Sequence, residues 1–171
     1  PFLNAETASA QMTVYHELHA VERRIPADDL VLLDAATLDC GILKDGLVAD
    51  AELCREAPEV VQSVVDAVLE GWIIAIEDPE QALDACCEER PDMPRDAQAK
   101  QLREILDLSL IGATRIHGLG YPDSTHMNRA AQAMRDIEGG APEIGPLRDI
   151  RFWDAAPKRF RHTEWPAEHR R

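Results

Sequence analysis

The chain has 171 residues, 45% of them apolar and 29% charged, which suits one domain with a real core. Thirty-two acidic against eighteen basic residues leave a net charge of -14, which speaks against a nucleic-acid-binding surface, because phosphate binding needs clustered Lys and Arg. No apolar run approaches the roughly 20 residues of a membrane-spanning helix.

The sequence begins at Pro1-Phe2-Leu3 without Met and shows no charged stretch followed by an apolar one, so no signal peptide is read, and the start suggests a processed or truncated product. Ala8 to Leu18 fits a strand running into a helix, since Met12, Val14 and Leu18 do not decide between the two periods. Ile25-Pro26-Ala27-Asp28-Asp29 has turn chemistry, and Leu30-Val31-Leu32-Leu33 is the short continuous apolar run of a strand covered on both faces. Gly41 and Gly46 punctuate the chain, and Leu47-Val48-Ala49 predicts another short strand.

From Asp50 onward helices are predicted. Pro58 suits the first turn of a helix whose apolar face is Val60, Val61, Val64, Val65, Val68, Leu69, Trp72, Ile73 and Ile76. Asp78 caps the next helix, with Pro79 at its first position and Gln81 at capping-box spacing; Leu83, Cys86 and Cys87 are its buried face. After a turn at Arg90 to Pro94 comes a third helix with Leu102, Ile105, Leu106 and Leu110 inward. His117-Gly118-Leu119-Gly120-Tyr121-Pro122 is a loop, and Asp123 or Ser124 caps a fourth helix with Met127, Ala130, Ala131, Met134 and Ile137 on one stripe. The stretch from Gly139 to Pro146 ends it. Residues 148–171 carry seven basic and four acidic side chains, leaving about -17 on residues 1–147, and read as an extended, partly docked tail containing Trp153 and Trp165.

Few chemical motifs survive inspection. His16-Glu17-Leu18-His19 lacks the second histidine of a zinc-protease helix, because position 20 is alanine; His16, His19 and Glu22 at spacings of three read more simply as a solvated helix face. No serine sits in a Gly-x-Ser-x-Gly elbow, and the glycines at 118 and 120 have neither the lysine of a P-loop nor the full dinucleotide spacing. Cys40, Cys54, Cys86 and Cys87 form no Cys-x-x-Cys pair and no disulfide scaffold, so they read as buried free thiols.

The order of segments is more informative. Met12 to Leu18, Ile25 to Leu30, Lys44 to Ala49, Ala57 to Val61, Gly71-Trp72 with Ala75 to Ala82, and Gly118 to Asp123 together resemble the C-terminal half of solute-binding proteins of ABC importers, the branch with thiamine-pyrimidine-precursor, nitrate and alkanesulfonate binders. The resemblance implies a helix-rich α/β chain, a partial type II periplasmic-binding fold without its N-terminal half. Residues 1–50 would be a remnant of the second lobe and the interlobe crossing, 51–147 a helical part returning to the first lobe, and 148–171 a basic tail.

It also implies that Tyr15 stacks on a planar ligand while His16 and Glu17 hydrogen-bond it, with Asp39 and Cys40 on the interlobe crossing. The expected partners are a small-molecule ligand, importer membrane subunits and a second copy through the uncovered apolar face, with no catalytic residue, metal or cofactor. The family points to the periplasm or cell exterior, and with no leader read here a cytoplasmic location stays open. Two alternatives remain: a thiamine-pyrimidine-synthase-like enzyme of the same fold, of whose cysteine-rich stretch Cys86-Cys87 is a thin echo, and a helical interaction module that has lost the cleft.

Overall fold

A computed structural model describes residues 2–35, 37, 38, 41, 46–141 and 143–161. Ten α-helices follow in order among them: α1 Glu17–Glu22, α2 Ala51–Glu56, α3 Pro58–Glu77, α4 Pro79–Glu89, α5 Arg95–Ser109, α6 Ala113–His117, α7 Ser124–Glu138, α8 Ile144–Leu147, α9 Arg151–Ala155 and α10 Lys158–Arg161. Single 3-10 turns stand at Phe2–Asn4 and Ala27–Asp29.

Helix α3, 20 residues and therefore about 30 Å long, is the spine. Its N-terminus takes Pro58 in the first turn, where a missing N–H costs nothing. Asp78 ends it and starts the next helix at once: its N–H donates to the Ile74 carbonyl at 2.7 Å, and its carboxylate accepts from the Gln81 N–H at 3.1 Å. Asp78→Ala should therefore cost about 1 kcal/mol, the usual worth of an N-cap, seen as a lower urea midpoint with unchanged slope. Asp50 and Asp123 cap α2 and α7 in the same way, through the N–H groups of Glu52 and Thr125.

Helix α3 packs against α2, α4, α9 and α10, and α4 packs in turn against α5. The core lies where these meet: Leu69, Ile73 and Ile76 of α3, Leu106 of α5, and Leu110, Leu119, Ala156 and Phe160, with Val65, Trp72, Leu102 and Trp153 packed around them. The apolar face expected on α3 is wider than its neighbours cover, so Val60, Val64 and Val68 stay exposed. On α4, Leu83 is buried and Cys87 half-buried, but Cys86 faces solvent, one position too far round the helix. The stripe expected on α7 reduces to Ala131; Met134 and Ile137 are exposed.

Two expectations are corrected by the fold. Residues 148–161 are not extended: α9 and α10 bury Phe152, Ala156 and Phe160 against α3, and Gln62 Nε2 donates to the Phe152 carbonyl at 2.9 Å. Helices this short leave almost no periodic signal, and burial against α3 rather than propensity stabilises them. Trp165 and the rest of 162–171 lie outside the described residues.

The strands expected at Leu30–Leu33 and Leu47–Ala49 are not formed among the described residues. Val31 is 87% exposed, Leu33 79% and Val48 96%. An apolar run becomes a strand only with a neighbour to complete its hydrogen bonds, so composition alone does not make these runs strands. The helix-rich half of the expected fold class is thus observed.

The loop after α6 is held from the other end of the chain. Gly118 and Gly120 take φ values of +115° and +70°, open to glycine and strained for other residues. Leu119 N–H donates to the Arg161 carbonyl at 2.7 Å, Trp153 Nε1–H to the Leu119 carbonyl at 2.7 Å, and Arg148 Nε–H to the Pro122 carbonyl at 2.6 Å. The glycines serve backbone conformation, as the sequence suggests.

Candidate functional site

The stretch Met12 to Leu18 leads into α1. Residues 14–16 form a turn, and Leu18 and Val21 anchor the short helix by burial. Tyr15 is half-buried, whereas His16 and Glu17 are exposed. Glu17 reaches back to the entering chain: its carboxylate accepts from the Thr13 N–H at 2.9 Å and from the Thr13 hydroxyl. Those two bonds, the hydroxyl's first, hold the Glu17 carboxyl down at about 2, below its ordinary 4.5.

The sign of that shift fixes a pH dependence. A carboxylate with a lowered folded pKa contributes stability above about pH 4.5 and loses it as pH falls through about 2. Glu17→Gln should remove this component, and a carboxyl-carbon NMR titration should place the Glu17 midpoint near 2. A midpoint at the ordinary value would show that the Thr13 bonds do not persist in solution.

The next turn of α1 adds a histidine bridge. His19 Nε2 pairs with Glu104 on α5, and its Nδ1 lies 3.0 Å from Lys100 Nζ and 3.5 Å from Glu22 Oε2. Nε2 thus faces one carboxylate, and Nδ1 an ammonium and a second carboxylate. The bridge ties residues 17–22 to a helix some 85 positions away. Sequence reasoning weighed His19 only as a metal ligand, and nothing local marks Glu104 or Lys100 as its partners.

Tyr15, His16 and Glu17 therefore share one exposed corner beside this bridge. Asp39 and Cys40 lie outside the described residues. No three His, Cys, Asp or Glu side chains among the described residues stand so as to hold a metal ion, the region of Cys86 and Cys87 included. A shallow apolar groove of about 310 Å³ runs between α3 and α5, lined by Val68, Gly71, Trp72, Ala75 and Leu102. No helix among the described residues is long and apolar enough to cross a membrane.

The model of one protein family, described as NMT1/THI5 like, matches residues 3–82, the segment that holds Tyr15, His16, Glu17, Asp39 and Cys40. No curated protein matches the chain, and no solved structure does. Residues 3–82 are thus similar to the NMT1/THI5-like family, the resemblance that the order of segments from Met12 to Ala82 implies.

Proposed function

We propose that this chain is part of the solute-binding component of an ABC importer, acting in the periplasm or outside the cell. It would take a small polar or planar ligand of the thiamine-pyrimidine-precursor, sulfonate or nitrate class. Tyr15 would stack on the ligand and His16 and Glu17 hydrogen-bond it, with Asp39 and Cys40 contributing from the crossing segment. No chemical step or cofactor is involved; capture is a population shift toward a closed state, and importer membrane subunits receive the ligand.

The family match over residues 3–82 carries this reading. The exposed apolar runs at Val31–Leu33 and Leu47–Val48 support it, since they have the composition of strands that a larger body of protein would pair and cover.

The test is a thermal-shift series with hydroxymethylpyrimidine, an alkanesulfonate and nitrate. One of them should raise the melting point, by an amount equivalent to about 2.7 kcal/mol at a hundredfold excess over Kd, and Tyr15→Ala should remove the shift. No shift with any of the three overturns the proposal. Stoichiometric iron in the purified protein would turn the reading toward the synthase-like enzyme.

A second reading, the helical interaction module, draws on one observation. Five of the eight buried core residues, Leu106, Leu110, Leu119, Ala156 and Phe160, lie beyond the matched segment. Helices α3, α5, α9 and α10 thus meet in a core to which none of residues 1–50 contributes a buried side chain. Light scattering separates the two: the module predicts a stable homo-oligomer built on the uncovered Val60, Val64 and Val68 face, insensitive to the three ligands.

A further inference from the structure

Three of the other arginines in this chain are matched to carboxylates. Arg90 pairs with Asp92, Arg95 with both Glu80 and Asp84, and Arg151 with Asp149. Arg161 breaks the pattern. It is only 9% exposed, its Nε is sealed from solvent without a hydrogen-bond partner, and no described carboxylate lies within ion-pair distance. In a chain with 32 acidic side chains, that vacancy is not for want of acids. Guanidinium does not deprotonate to escape burial, so its charge and its orphan donor both call for an anion.

The surroundings are those of a recognition site. The Arg161 guanidinium lies over the Trp153 ring, 4.4 Å from its centroid. Tyr121 meets Trp153 edge-on at 5.2 Å, and His117 stacks on Tyr121 at 4.1 Å. Arg148 sits over the other end of this frame, 5.9 Å from the Tyr121 centroid, and it too has no carboxylate partner among the described residues. The hydrogen bonds from Trp153 to Leu119, from Leu119 to Arg161 and from Arg148 to Pro122 fix the frame to the glycine loop. Of the Arg161 side-chain nitrogens only Nε is both buried and unpartnered, so the two terminal amino groups keep contact with solvent.

We propose that Arg161, stacked on Trp153 and flanked by Tyr121, His117 and Arg148, is the anchor of a binding site for the oxyanion group of a small molecule. The planar fork of Arg161 takes two oxygens at once, a geometry that lysine cannot supply. Arg148 adds a second positive charge, and the exposed imidazole of His117 a further hydrogen-bonding group, at the rim. The site lies wholly outside residues 3–82 and stands independently of the importer reading.

The probe is inorganic phosphate, titrated into the full chain at constant ionic strength with potassium chloride as the control for screening. Nitrogen-detected NMR follows the Arg161 Nε–H and the Trp153 Nε1–H. A saturable shift of the Arg161 signal, absent with chloride, is expected, with a parallel rise in melting temperature. Arg161→Lys should weaken binding about tenfold or more through loss of the fork, and Arg148→Gln should weaken it less. The wild-type signal needs no variant, so misfolding of Arg161→Lys leaves the test intact. Lack of a saturable shift with phosphate, sulfate or acetate overturns the proposal. It is overturned equally if phosphate binds only after Glu164→Gln and Glu168→Gln, because the chain's own carboxylates would then be the occupant.

Discussion

Leu69→Ala is expected to destabilise the protein by about 2–5 kcal/mol, a large share of the about 5–15 kcal/mol that holds a domain together. Leu69 is 5% exposed and stands where α3 meets the glycine loop and the C-terminal helices. Truncation removes apolar atoms from contact and leaves a cavity that α3, fixed between α4 and α10, cannot easily close. Urea denaturation followed by far-UV circular dichroism would measure it. A loss below about 1 kcal/mol, within the range of an exposed-site substitution, would mean that this core is not packed as described.

Gly120→Ala should follow, at about 1–3 kcal/mol. Two effects combine. The backbone at φ +70° is costly for any residue with a Cβ, and an added Cβ would stand 2.9 Å from Leu69 Cδ2. Leu69 is itself enclosed by the core, so it has little room to swing away. The two substitutions are therefore coupled. In a Leu69→Ala background the clash disappears while the backbone strain stays, so the double variant should be less damaged than the summed singles by about 0.5–1 kcal/mol. Strict additivity would show that Gly120 matters for its backbone alone.

The N-terminal matched segment and the C-terminal site make different demands on chemistry. At α1 the Glu17 carboxylate is stabilised in its charged form by Thr13 hydrogen bonds, and His19 is engaged with Glu104 and Lys100. A ligand there would meet Tyr15 and the outer edges of His16 and Glu17. At Arg161 the situation is the reverse, with positive charge enclosed and no carboxylate partner among the described residues. A phosphate titration followed at the Arg161 Nε–H and a pyrimidine titration therefore report on separate surfaces, whereas a sulfonate is an oxyanion that either could take, and Tyr15→Ala tells the two apart.

Much of the helical body is legible from sequence because its signals are local. Pro58 marks a helix start through its fixed φ, Asp78 with Gln81 and Asp123 through hydrogen bonds made within three residues, and all three stand where expected. The run from Val60 to Ile76 is long enough for its period to be unmistakable. The order of short segments up to Ala82 carried the resemblance that the family model matches over residues 3–82. What stayed hidden depends on partners distant in the chain. Whether Leu30–Leu33 forms a strand is decided by a neighbour that must supply hydrogen bonds, not by its own apolar residues. Phe152 and Phe160 are buried because α3 passes beneath them, although their own stretch has no helical period worth reading. The link from His19 to Glu104 and the unpaired burial of Arg161 are likewise properties of folded geometry. Sequence alone thus determined where helices begin, the acidic balance and the family resemblance of residues 3–82, because each rests on near neighbours or on composition. Which side chains are enclosed, and which charge is left without a counter-charge, was decided only by tertiary structure, since desolvation depends on everything packed around a group.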